Sequence, residues 1–140
     1  MDQQLQKILR ASIELFSQYG FKTITMDDIA RRAGISKKTL YQHFANKHEV
    51  VNEAVVNYKE HISDDCVKQL EQAHNPVEAM VRILAFFDNM YREMNPMALF
   101  ELQRFFPETY MRFRELLVEK DVVLLKENIL AGIAAGLYRK

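Results

Sequence analysis

The sequence predicts an all-α protein: a three-helix N-terminal head with a helix-turn-helix, then a long linker helix, then a further α-helical domain. Three observations carry this. Apolar residues recur at three-and-four spacing along most of the chain, and no stretch reads as a strand. Helix start and stop signals punctuate that rhythm. Residues 25 to 47, TMDDIARRAGISKKTLYQHFANK, read as two short helices around a tight turn, the second with a polar and basic outer face.

The first helix covers about residues 3 to 19, with Leu5, Ile8, Leu9, Ser12, Ile13 and Phe16 as its buried stripe, and Gly20 ends it. Phe21 and Ile24 in the following segment close a core behind the helix-turn-helix. Thr25 caps the second helix: its hydroxyl accepts from the amide of Asp28, whose carboxylate reaches back in a capping box. Ile29, Ala30 and Ala33 form the buried side. Gly34 supplies the left-handed residue that stops the helix, Ile35 plugs the turn, and Ser36 caps the third helix.

In that third helix Leu40 and Phe44 fall on the core side, while Lys38, Thr39 and Gln42 face away with His43 beside them. Lys37 and Tyr41 occupy the remaining flank. Ammonium, amide, hydroxyl, phenol and imidazole groups on one short helix supply what a DNA major groove needs: donors and acceptors for base edges, and positive or hydroxyl groups for phosphates. A solvated amphipathic helix is the bland alternative, since most charged faces only meet water. The turn, both caps and the pairing of short helices favour the nucleic-acid reading.

Asn46 with Glu49 opens a long helix through Val50, Val51, Ala54, Val55, Tyr58, Ile62 and Leu70 to about residue 73, or ~40 Å. Lys47 lies in its first turn, against the helix dipole, and a phosphate held there by free amides and the ammonium would explain its place. Asn75-Pro76-Val77-Glu78 starts another helix, ending near Glu93. Asn95-Pro96 opens a short one, and Phe106-Pro107-Glu108 the last long one, expected to run to about Leu137.

Composition excludes several classes. No segment approaches the ~18 uninterrupted apolar residues of a membrane span, and the N-terminus lacks the apolar stretch of a signal peptide, so a soluble cytoplasmic protein without membrane partners is expected. Cys66 is the only cysteine, which rules out an intrachain disulfide or a thiolate zinc cluster. The net charge of zero hides an asymmetry: residues 1 to 48 carry eight Lys/Arg and four Asp/Glu, residues 49 to 140 eleven and fifteen. The basic end coincides with the helix-turn-helix. No phosphate-loop, dinucleotide, zinc-protease or nucleophile-elbow motif is present, and Glu71-x-x-His74 lacks the second such pair that a di-iron bundle needs. No enzyme, cofactor or metal is expected.

Gly20-Phe21, Thr23, Thr25-Met26, Ile29-Ala30, Ala33-Gly34-Ile35-Ser36, Thr39-Leu40-Tyr41, His43-Phe44 and Lys47 stand where the tetracycline-repressor (TetR) family of bacterial transcription regulators has its N-terminal signature. Over about residues 5 to 55 the chain resembles that family. The resemblance implies a DNA-binding domain over residues 1–46 and a ligand-binding, regulatory domain over 47–140. It implies a homodimer on a palindromic operator in double-stranded DNA, and a repressor released by a small effector. On this reading Lys38, Thr39 and Gln42 address base edges, and Thr25, Lys37, Tyr41, His43 and Lys47 address phosphates. Lys38 departs from the small residue, commonly Gly, frequent at its position.

Residues 76 to 115 are dense in Met and aromatic side chains, which usually just form a core. The resemblance implies that some of them line a pocket for an apolar or amphipathic effector, with Phe87, Met90, Tyr91, Phe100, Phe106 and Tyr110 as candidates. Family members usually continue past a stretch like Ala131–Tyr138 with two more helices that form a four-helix dimer interface. A fragment is therefore expected, monomeric or weakly associating, its Ala- and Gly-rich end packing against the absent helices. The competing reading is a helical interaction module whose basic face binds a protein or an anionic surface; Thr39 and Gln42 between the lysines suit base edges better.

Overall fold

The computed structural model describes residues 2–139, and among them it is helical with no strand. The order is α1 (Gln3–Tyr19), α2 (Met26–Ala33), α3 (Lys37–His43), α4 (Lys47–Glu71), α5 (Pro76–Glu93), α6 (Met97–Phe105), α7 (Pro107–Leu116), a π-helical segment (Leu117–Val122) and α8 (Val123–Ala134). No described helix is long and apolar enough to cross a membrane.

The expected starts are present. Thr25 and Asp28 form the reciprocal capping box, Gly34 ends α2 at φ 72°, and the Ser36 hydroxyl accepts from the Thr39 amide at 3.1 Å. Asn46 and Asn75 cap α4 and α5 by accepting from Glu49 and Glu78. Local hydrogen-bond chemistry suffices to place these boundaries, because each cap satisfies amides that a helix start leaves without partners.

The chain forms two compact units. The first comprises Met1–Tyr58 and Glu93–Phe113. Its core joins Ile8, Phe16, Ile29, Leu40, Phe44 and Val51, with Phe16 and Phe21 stacked at 4.7 Å, and Ala98, Leu102 and Phe106 complete it. Helices α1 to α3 alone are too small to bury this much apolar surface, so the first half of α4 and α6 are integral to the head rather than appended to it.

The second unit comprises Lys59–Arg92 and Arg114–Lys140. Cys66, Ala79, Ile83 and Leu116 are buried there, together with a polar cluster of Lys59, Ser63 and Asp121. Asn128 and the Tyr138 hydroxyl both donate to the Pro76 carbonyl at 2.9 Å.

The last helix departs from expectation twice. It passes through the π-helical segment, whose buried residue is Asp121, and it ends at Ala134 rather than near Leu137. Gly136, at φ 75°, turns the chain so that the Leu137 and Tyr138 amides return to the Gly132 carbonyl at 2.8 and 3.1 Å. Gly132 receives the chain's own Tyr138, so that a Cβ there would collide with that ring.

Candidate nucleic-acid interface

The candidate reading helix, α3, is fixed from below by Leu40, which is fully buried, and by Phe44 just beyond its end. That anchoring decides what the other faces present. Lys38, Tyr41 and Gln42 are exposed and make no hydrogen bond or ion pair among the described residues. Three functional groups on about one and a half turns are thereby free to meet a ligand at little desolvation cost.

The remaining candidates are already engaged. Thr39 is half-buried, and its hydroxyl shares a 2.8 Å hydrogen bond with that of Ser36. Lys37 pairs with Asp27 at 3.2 Å, tying the start of α3 to the first turn of α2, but both side chains are more than half exposed. Such a pair is weak enough for a phosphate to compete. His43 Nε2 lies 2.8 Å from Gln4 Oε1 of α1, so a phosphate contact from His43 has to come through Nδ1. Thr25 is exposed, and its hydroxyl accepts from the Asp28 amide.

Lys47 is half-buried at the start of α4, its ammonium 5.9 Å from the centre of the Phe106 ring and 3.3 Å from the Lys22 carbonyl. Burial lowers its pKa from the ordinary lysine value, and Glu101 and Asp28 oppose that shift. The Asp28 carboxyl is held below its ordinary value, first by the hydrogen bond from the Thr25 amide and then by that from the Thr25 hydroxyl.

Three residues of this neighbourhood escape the sequence reading. Gln4 takes one nitrogen of His43, Lys22 presents its carbonyl to Lys47, and Glu101 of α6 accepts from the Lys22 amide at 2.7 Å. No local spacing connects them, because each partner comes from a different part of the chain.

The six pocket candidates divide between the units. Phe106 is buried in the core of the first, Tyr110 packs against that core, and Phe100 of α6 is exposed. In the second, Phe87 and Met90 are half-buried and Tyr91 is exposed on α5. An open groove of about 540 Å³ lies elsewhere on the head, between α1 and α2, and is lined by Leu15, Tyr19, Thr23, Ile24, Asp28, Arg31 and Arg32.

Residues 8–54 match the family model for bacterial regulatory proteins of the tetR family. Over those residues the chain is similar to that family. It is 30% identical over 132 residues to the uncharacterized HTH-type transcriptional regulator YhgD of Bacillus subtilis (strain 168), covering 90% of this chain and 63% of that protein, so it spans less than two thirds of this relative's length. Among solved structures it resembles the fatty acid degradation regulator FadR from Bacillus halodurans, with a TM-score of 0.80 at 19% identity over 99% of this chain and 73% of that one. It also resembles FadR from Bacillus subtilis in complex with stearoyl-CoA, with a TM-score of 0.76 at 17% identity over 96% of this chain and 74% of that one. At these identities the likeness establishes the fold.

Proposed function

We propose that the chain is a sequence-specific, DNA-binding transcriptional regulator in which residues 1–46 read a palindromic operator and residues 47–140 carry the effector-responsive, regulatory part. The observation that carries the reading is the free outer face of α3, where Lys38, Tyr41 and Gln42 stand exposed on a helix anchored by Leu40. A helix-turn-helix of this kind enters the major groove, and two copies bind half-sites about one helical turn apart. Lys38, Thr39 and Gln42 take the base-reading role. Thr25, Lys37, Tyr41, His43 and Lys47 take the phosphates, His43 through Nδ1.

Repression follows if the bound dimer occludes a promoter, and an apolar or amphipathic effector releases it. The stearoyl-CoA complex of FadR supports a long-chain acyl thioester as the first effector class to try. Phe87, Met90, Tyr91, Phe100, Phe106 and Tyr110 remain the residues to substitute in that search.

The test is selection of bound duplexes from a random DNA pool, with affinity for the winners measured at two salt concentrations. A palindromic consensus supports specific dimeric reading. Salt-sensitive binding without a consensus limits the function to the phosphate contacts, and no binding favours the alternative, a basic helical module for a protein or anionic surface.

A further inference from the structure

One peptide group in the segment between α1 and α2 is held from two sides. The Lys22 amide donates to Glu101 Oε2 of α6 at 2.7 Å, and the Lys22 carbonyl accepts from the Lys47 ammonium of α4 at 3.3 Å. The other oxygen of Glu101 sits against Gly20, where a Cβ would come within 2.7 Å of it. Nearby, Asn95 fastens the end of α1, donating from its amide to the Ser17 carbonyl at 2.7 Å and from Nδ2 to the Gln18 carbonyl at 3.1 Å.

Glu101 is thus occupied in holding backbone and is poorly placed to bind a ligand. The segment it holds leads within three residues to Thr25, the cap of α2, and on its other side meets Lys47. A lysine on a flexible stem loses rotamer freedom when it binds, and directing it beforehand lowers that cost. The 3.3 Å contact uses one of three ammonium donors, which leaves the others for a phosphate oxygen.

We infer that Glu101 is a positioning residue for DNA binding: through the Lys22 peptide it sets the Lys47 ammonium and the Thr25 start of α2 into one phosphate-binding edge. This rests on the DNA-binding reading above. The coupling is reciprocal, so a phosphate that draws on Lys47 also changes how firmly the Lys22 peptide is held. A carboxylate beside a phosphate site repels DNA through its charge alone, so a net gain in affinity from Glu101 has to come from this positioning.

The test is a double-mutant cycle on the full chain with a selected operator duplex, using the parent, Glu101→Gln, Lys47→Gln and the double variant. Loss of the charged acceptor in Glu101→Gln weakens binding about five- to tenfold in the parent background, and less than about twofold once Lys47 is replaced. An equal loss in both backgrounds marks a merely structural residue and overturns the inference, as does tighter or unchanged binding by Glu101→Gln. Amide exchange at Lys22 gives a reading without substitution: it slows when the operator is added to the parent protein, and unchanged exchange counts against the inference. If the parent binds no duplex, the DNA-binding reading falls and takes this inference with it.

Discussion

Lys59 of α4 and Asp121 of the π-helical segment form an ion pair inside the second unit, with their side chains only 3% and 5% exposed. Ser63 completes it, donating its hydroxyl to Asp121 Oδ1 at 3.1 Å while lying 3.3 Å from the Lys59 ammonium. A buried pair of this kind costs as much in desolvation as it returns in attraction, so its removal as a unit is cheap and its disruption is not. Asp121→Leu or Lys59→Met alone leaves an uncompensated buried charge and destabilises by about 3 to 5 kcal/mol. The double variant Lys59→Met/Asp121→Leu regains most of that. Urea unfolding of the three proteins checks it, and equal losses in single and double variants would contradict the pairing argument.

Cys66 lies beside this pair and is buried. Burial raises its thiol pKa, Asp121 raises it further, and Lys59 opposes both. The thiolate is the reactive form, so a raised pKa and a closed environment both slow reaction. Cys66 should therefore resist a disulfide reagent at neutral pH in the native protein and react quickly in denaturing urea. Prompt native-state labelling would mean that the second unit opens readily.

The extent to which the sequence foretells this structure tracks the range of the interactions. The capping box of Thr25 and Asp28 and the stop at Gly34 are legible because three or four residues contain all the chemistry. The π-helical segment is not legible, since Val118 and Val122 keep helical spacing while the burial of Asp121 depends on Lys59, 62 positions away. The same holds for the candidate interface. The outward face of α3 follows from periodicity, whereas the hold of Glu101 on Lys22 spans 79 positions and leaves no local trace.

At the end of α8, Gly132 is a test of close approach. Adding a methyl group there forces the Tyr138 ring aside, together with its hydrogen bonds to the Pro76 carbonyl and Asn128. Gly132→Ala should destabilise by about 1 to 3 kcal/mol, as overpacked sites do, and Tyr138→Phe by about 1 kcal/mol through the lost hydrogen bond alone. Thermal unfolding of both variants checks the order; a neutral Gly132→Ala would mean that the turn at Gly136 re-forms without the ring.

Acid should loosen the start of α2 before it affects the apolar core. Asp28 has its pKa lowered from 3.8 by hydrogen bonds from Thr25, so its contribution is fully present above that ordinary value and is lost as pH falls through the lower folded value. The proton taken up there removes the charge that strengthens the hydrogen bond from the Thr25 amide. Nuclear magnetic resonance titration should report an Asp28 midpoint below the ordinary one, with the Thr25 amide shift moving in step. An Asp28→Asn variant should remove that step, and a midpoint at or above the ordinary value would disprove the capping-box account.

Gln42 and Lys47 separate sequence reading from phosphate holding. Gln42 is exposed at the outer face of α3 with an amide that can pair bidentately with an adenine edge. Gln42→Ala should therefore change which operator is preferred, by about 1 to 3 kcal/mol at one base pair, and leave the salt dependence unaltered. Lys47 is half-buried at the start of α4 and presents a charge without base-specific geometry. Lys47→Ala should weaken all duplexes similarly and reduce the slope of log affinity against log salt by about 0.9 for each phosphate it ceases to neutralise. Repeating the selection with each variant distinguishes them: an unchanged consensus for Gln42→Ala removes that residue from the base-reading set, and an altered consensus for Lys47→Ala would move Lys47 into it.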